Sequence, residues 1–311
     1  MKRLALIVIG LGLVGGAGLA AAGCGQEEAV PVGAVSTEIP ANQTVTSSET
    51  ETMPPPTETG SGTSTDSGSG ASGVLYQVWL VRGESLFVTW RERAGTRRVG
   101  TAAMEDLLAG PTPLEARAGV TTVIPAGTRL LGLTVSKGVA TVDLSSEFES
   151  GGGSASMFAR LAQVACTLDQ FPTVRGVSFE LDGQPVDVFS GEGIVLDHPV
   201  RCRDYQDLLP VILVEHPSIG QRVESGITVS GSANVFEANV TVRVLDAGGT
   251  ELSRGFTTAT CGTGCRGTFS MDVDFEVTHE QAGTIVISDD DAAGTGTPPH
   301  EVRIPVTLMP S

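Results

Sequence analysis

Five cysteines are the residues of this sequence best suited to covalent chemistry, and their spacing sorts them. Cys24 stands alone near the N-terminus, while Cys166, Cys202, Cys261 and Cys265 lie in the second half. Cys261 and Cys265 enclose only Gly-Thr-Gly, a flexible spacer that lets two Cβ atoms reach disulfide distance. The competing chemistry is metal ligation. A zinc site would add a second cysteine pair or a histidine at ligand spacing, and the sequence has neither. In an oxidising compartment the four downstream cysteines allow three connectivities. With Cys261 and Cys265 joined, Cys166 with Cys202 is the default second bridge. It would staple a helix to the segment leaving the first folded unit.

Acid–base and nucleophilic chemistry find less support. No Gly-x-Ser-x-Gly elbow occurs. His198, His216, His279 and His300 are scattered without triad or metal spacing and read as solvated loop histidines. Asp143, Glu147 and Glu149 could supply paired carboxylates. A glycosidase, however, holds one acid protonated in an apolar pocket, and the sequence shows no such pocket. Gly151-Gly152-Gly153 before a helix could cradle an anion. Glu147 and Glu149 would oppose that charge and no Walker lysine follows, so a flexible approach to the helix is the better reading. Asp289-Asp290-Asp291 lacks the spaced ligands and distal glutamate of a calcium loop and reads as a solvated turn. No catalytic residue, metal ligand or cofactor is expected.

Length and charge bound the rest. The chain has 311 residues, 36 acids against 19 Lys and Arg, and a net charge of −17. A surface so negative repels nucleic acid, which is excluded as a partner. Lys2 and Arg3 precede an apolar run from Leu4 to Gly23, an export signal over residues 1–23. Ala21-Ala22-Gly23-Cys24 looks like a bacterial lipobox, with Ala21 where leucine is usual. Cleavage and lipidation at Cys24 would exceed the two-chain minimum for stable anchoring. The alternative is a retained membrane helix, which the glycines of the run weaken. Residues 24–73 are rich in Ser, Thr, Gly and Pro, with seven acids and no Lys or Arg. Such a segment is expected to be a disordered tether with an r.m.s. reach of about 40 Å.

Two folded units are expected beyond it. In 74–206, strand runs at Leu75–Val81 and Leu86–Trp90 flank a turn at Arg82-Gly83-Glu84-Ser85. Thr101 can cap a helix with Met104, Leu107 and Leu108 inside, and Thr112-Pro113-Leu114-Glu115 is a capping box. Ser136-Lys137-Gly138 and Asp182-Gly183 read as hairpin turns. Between them, Ser154 opens a helix with Met157, Phe158, Leu161, Ala165 and Leu168 on one stripe. That order implies an α+β domain, an antiparallel sheet with helices on one face. In 207–311 the period switches to about seven short half-buried strands, an all-β sandwich.

Several motifs sharpen this. Leu107-Leu-Ala-Gly-Pro-Thr-Pro113, Ile124-Pro-Ala-Gly-Thr128, Gly138-Val-Ala-Thr-Val-Asp-Leu144 with Ser145-Ser-Glu-Phe148, and Phe179-Glu-Leu-Asp-Gly-Gln-Pro185 occur in that order. Together they resemble the GerMN domain of sporulation and spore-germination proteins. Val229-Ser-Gly-Ser-Ala-Asn-Val-Phe-Glu237, Gly262-Thr-Gly-Cys-Arg-Gly-Thr-Phe269 and His300-Glu-Val-Arg-Ile304 resemble the immunoglobulin-like domain of bacterial spore germination. The resemblance implies a non-enzymatic lipoprotein on the outer face of the cell membrane, with a sporulation- or germination-type role. It would scaffold envelope proteins through exposed strand edges. Two alternatives are a peptidoglycan or wall-glycan binder and an accessory lipoprotein of an envelope-sensing signalling system. Glycan stacking would rest on few platforms, Trp79, Trp90, Tyr76 and Tyr205.

Overall fold

A computed structural model of the chain describes residues 73–289 and 299–310. The expected signal 1–23, Cys24 and all but the last residue of the 24–73 segment lie outside the described residues. Among the described residues no helix is long and apolar enough to cross a membrane.

The first domain opens with the expected hairpin, β1 (Val74–Arg82) and β2 (Ser85–Arg93), in register from Val74 opposite Arg93 to Arg82 opposite Ser85. Then come α1 (Val99–Ala109), α2 (Pro113–Arg117), β3 (Val120–Thr121), β4 (Leu130–Ser136), β5 (Val139–Leu144) and α3 (Ser154–Asp169). The domain closes with β6 (Gly176–Leu181), β7 (Gln184–Pro185), β8 (Val188–Phe189) and β9 (Ile194–Val195). The α+β class holds, with a layering finer than the sequence pattern implied. There are two main sheets, β2-β1-β3 and β4-β5-β6-β7. One pair, β5 with β6, is parallel because α3 is the crossover between them. α1 touches β1 and β4, and α3 touches β1 and β6, so the helices join the two sheets.

β3 meets β1 only at Val81 and Arg82, which leaves the edge of β1 from Gln77 to Trp79 without a strand partner among the described residues. α3 supplies the missing bonds from side chains. Gln170 Oε1 accepts from Gln77 N at 2.7 Å and its Nε2 donates to Gln77 O at 2.7 Å. Thr167 Oγ1 accepts from Trp79 N at 3.1 Å, and Gln163 Nε2 donates to Trp79 O at 3.0 Å. Gln163 Oε1 also accepts from Val123 N. This is why α3 is buried almost all round from Arg160 to Leu168, polar residues included. The expected apolar stripe is therefore too narrow, and at Phe158, which is 43% exposed, it is wrong. A buried backbone group must find a partner, and these side chains are the partners available.

The capping box forms as expected: Thr112 N donates to Glu115 Oε2 at 2.7 Å and Thr112 Oγ1 accepts from Glu115 N at 3.3 Å. Glu115 is buried and serves β2 as well, accepting from Thr89 Oγ1 at 2.6 Å and from both terminal nitrogens of Arg91 at 2.8 and 2.6 Å. Burial alone would raise its carboxyl. The bonds from Arg91, Thr89 and the Thr112 backbone outweigh it and hold the group below the usual range. α1, by contrast, does not start at a Thr101 cap. It begins at Val99, with Arg98 as N-cap and no side-chain cap bond. Its first turn packs closely: a Cβ on Gly100 would stand 3.2 Å from Leu133 Cδ2 and 3.7 Å from Leu168 Cδ2.

A 3₁₀ turn, Cys202–Leu208, leads to the second domain. Its strands are β10 (Ile212–His216), β11 (Arg222–Val223), β12 (Ile227–Ala233), β13 (Asn239–Leu245), β14 (Glu251–Thr258), β15 (Gly267–Val273), β16 (Gln281–Ser288) and β17 (Glu301–Leu308). They form sheets β10-β12-β15 and β11-β17-β16-β13-β14, the sandwich read from the alternation. Phe269 and Val273 are buried while Ser270 and Asp272 are exposed. Alternation fails at Ile285–Ile287, where Val286 is buried too. Val286 lies between Arg243 and Arg303 in register, and Glu301 pairs with both arginines, so their stems flank it. Across the two domains, Trp90 Nε1 donates to Glu215 O at 2.8 Å and Arg82 donates to Arg303 O at 3.0 Å.

Replacing Gln163 by Leu keeps the volume but orphans Trp79 O and Val123 N; chemical denaturation should show a loss of about 3 kcal/mol. For Glu115→Gln, a loss of about 3 kcal/mol at neutral pH is expected from the broken buried pair. Because the folded carboxyl titrates below its unfolded value, its stabilisation is complete above the unfolded value and is lost as pH falls through the depressed one. The gap between native chain and variant should therefore shrink at acid pH in denaturation curves, and a constant gap would contradict it.

Candidate functional site

The cysteines are brought together in pairs. Cys166 of α3 is bonded to Cys202, with Cα atoms 4.4 Å apart, and Cys261 to Cys265, with Cα atoms 5.8 Å apart. Among the described residues no group of three or more His, Cys, Asp or Glu could hold a metal ion. The candidate acids do not converge either. Asp143 Oδ1 accepts from Gly183 N at 2.9 Å and so closes the β6–β7 turn, while Glu147 and Glu149 are exposed. The histidines stay apart: His198 pairs with Asp197, His216 meets Gln221, His279 meets Thr278 and His300 pairs with Asp289. Asp290 and Asp291 lie outside the described residues.

The triple-glycine loop is closed from within. Arg160, 3% exposed, donates to Phe148 O at 2.9 Å, Gly151 O at 2.7 Å and Val123 O at 2.9 Å. Burial lowers its affinity for the proton, and the three carbonyls solvate the charge in place of water. Gly152 has φ +82°, and a Cβ there would stand 2.9 Å from Arg160 Nη2. The glycines thus let the backbone fold around a guanidinium, and the expected flexible approach is a clamp. Arg160 in mid-helix was the signal for it.

A groove of about 990 Å³ lies between α1 and β4. One wall is a helix stripe, Arg98, Thr101, Glu105 and Leu108, at the i, i+3, i+7, i+10 spacing of a single face. The other is β4 with Leu131, Leu133 and Val135, and Phe171 also lines the groove. Leu131 and Val135 are 45% and 48% exposed, high for leucine and valine in a strand. β4 is the end of its sheet, so among the described residues no strand pairs with its outer edge. A register shift between Leu130 and Gly132 bulges the strand at its start and leaves Gly132–Ser136 regular.

The charge of the groove opposes that of the chain. Arg97, Arg98 and Arg129 line it; Arg129 interacts with Glu147, whereas among the described residues neither Arg97 nor Arg98 is in an ion pair. Its one acid, Glu105, is held by Arg93 at 3.0 Å, and Arg93 also binds Asp106. The bond to Asp106 raises the Arg93 guanidinium above its ordinary value. Tyr76 donates to the same carboxylate at 2.5 Å, and burial followed by that bond pushes its hydroxyl up. Sequence reading missed this site. Its trace was the chain's single Arg-Arg pair, Arg97-Arg98, and a strand in which Leu131, Leu133 and Val135 alternate with Gly132, Thr134 and Ser136.

The two bridges differ in what they enclose. Replacing both Cys166 and Cys202 by Ala opens a loop with a sequence separation of 36 and should cost about 4 kcal/mol on the chain-entropy relation. The same change at Cys261 and Cys265, separated by 4, should cost about 2 kcal/mol. Denaturation midpoints of the two double variants measure the ratio.

Residues 72–187 match a family model described as sporulation and spore germination. Residues 211–295 match the immunoglobulin-like domain of bacterial spore germination. Similar solved structures include the first GerMN domain of the sporulation protein GerM from Bacillus subtilis, at 19% identity and TM-score 0.37, covering 42% of this chain and 99% of that one. The tandem GerMN domains of GerM from Bacillus subtilis match at 16% identity and TM-score 0.37, covering 65% of this chain and 62% of that one. No curated protein matches the sequence. One segment of the chain thus matches each family model, and neither family description names a catalytic activity.

Proposed function

We propose that this chain, with its GerMN-type and germination-type immunoglobulin-like domains, is a non-enzymatic scaffold that binds proteins in the cell envelope in a sporulation- or germination-type process. The observation that carries the reading is the open groove along the unpaired edge of β4, a surface built to receive another chain. A tethered scaffold also needs its binding surfaces held in fixed relation. The bonds from Trp90 to Glu215 and from Arg82 to Arg303 provide that between the domains.

A wall-glycan role is less well supported. Sugar binding stacks rings on exposed aromatic faces, whereas Tyr76, Trp79 and Tyr205 are buried and Trp90 is held by Glu215. Anchoring would come from lipidation at Cys24 on the outer face of the membrane, with the 24–73 segment as spacer.

Two measurements test the reading. Cys24→Ser should move the full chain from the membrane fraction to the soluble fraction and abolish labelling by a fatty-acid probe. Crosslinking of the full chain in cells should yield defined envelope-protein adducts, while the purified chain should stay in the supernatant when peptidoglycan is sedimented. Sedimentation with bare glycan and no protein adducts would reverse the proposal.

A further inference from the structure

We infer that the groove between α1 and β4 is a docking site for an extended, acid-flanked segment of a partner protein, which adds to β4 as a fifth strand. The inference deepens the scaffold reading and rests on it.

The geometry of β4 supplies the backbone half of the argument. β4 and β5 are joined by the two-residue turn Lys137-Gly138, so Ser136 faces Val139 across the turn, and Thr134 faces Thr141. In such a hairpin the residues flanking the turn exchange both hydrogen bonds, and alternate residues point the other way. Ser136 and Thr134 thus bond to β5, while Val135 and Leu133 present N–H and C=O groups at the free edge. Edge strands are normally blunted against chance pairing. Here the bulge lies at Leu131, and the regular stretch after it stays open.

The side chains supply selectivity. An added strand would run beneath the α1 stripe, where Leu131, Leu133, Val135, Leu108 and Phe171 offer apolar contact to alternate residues. Arg97 and Arg98 then face the guest's flanks with no acidic partner of their own among the described residues, and Arg129, which also interacts with Glu147, adds to the same sign. In a chain of net charge −17 this is a local inversion of sign, and it selects carboxylates over ammonium groups. An apolar row beside an open backbone edge fits a polypeptide better than a polyanionic glycan or lipid headgroup.

The test uses the purified full chain and a fluorescein-labelled peptide of about nine residues, alternating valine and threonine between terminal pairs of glutamates. Fluorescence anisotropy should show saturable binding that weakens as salt is raised. Charge reversal by Arg97→Glu with Arg98→Glu, both exposed, should weaken it about tenfold. Val135→Pro removes an outward N–H without touching the β5 ladder and should abolish it, with circular dichroism unchanged. Equal binding of a lysine-flanked peptide, equal binding of polyglutamate, or indifference to both variants would overturn the inference. So would self-association of the full chain that Val135→Pro abolishes, since the guest would then be a second copy. In-cell adducts that persist in both variants would overturn this site and leave the scaffold reading intact. Peptide binding with no adducts in cells would fault the scaffold reading instead.

Discussion

The first domain depends on how one strand edge is satisfied. β1 is the centre of a sheet whose third member is only two residues long, so the backbone of Gln77 and Trp79 would otherwise be buried without partners. Gln163, Thr167 and Gln170, one helical turn apart or nearly so, meet that need from α3. A helix thereby takes the place of a strand. Once α3 is fixed against β1, its other sides fall against α1 and β6, and its end is joined to Cys202. The parallel pairing of β5 with β6 follows from the same placement, since α3 is their connection.

This constraint also sorts the edges available for binding. The edge of β1 is closed by glutamine and threonine side chains, and β2 lies against β10 with Trp90 bonded across. β4, at the far side of the other sheet, has neither kind of cover. The groove is therefore a consequence of where the helices were needed. α1 and α3 sit between the sheets, and α1 overhangs β4 far enough to cover Leu133 but not Leu131 or Val135.

Electrostatics follows the same division between global and local. The net charge describes long-range behaviour, in which a surface of this sign repels polyanions. At contact distance the sign depends on which charges are already paired. Arg91 is committed to Glu115, and Arg93 to Glu105 and Asp106. Arg160 is committed to carbonyls. Arg97 and Arg98, four and five residues beyond Arg93, are in no such pair among the described residues, and a surface of opposite sign results.

Patterns that depend on near neighbours in the chain were legible from the sequence. The hairpin turns at Lys137-Gly138 and Asp182-Gly183, the Thr112–Glu115 capping box, the alternation of β15 and the short Cys261–Cys265 loop are all local, set by backbone dihedrals and residues a few positions apart. The motifs of the two domain families are legible for the same reason. Tertiary structure alone decided what polar residues inside elements were for. Gln163 and Arg160 look like interruptions of an apolar stripe until β1 and the Gly151 loop arrive as partners from outside the helix. It also decided the groove, because exposure of Leu131 and Val135 and the freedom of Arg97 and Arg98 are set by which neighbours come close. Hydrogen-bond satisfaction and ion pairing are sums over space, and sequence spacing reports only the part of that sum lying nearby in the chain.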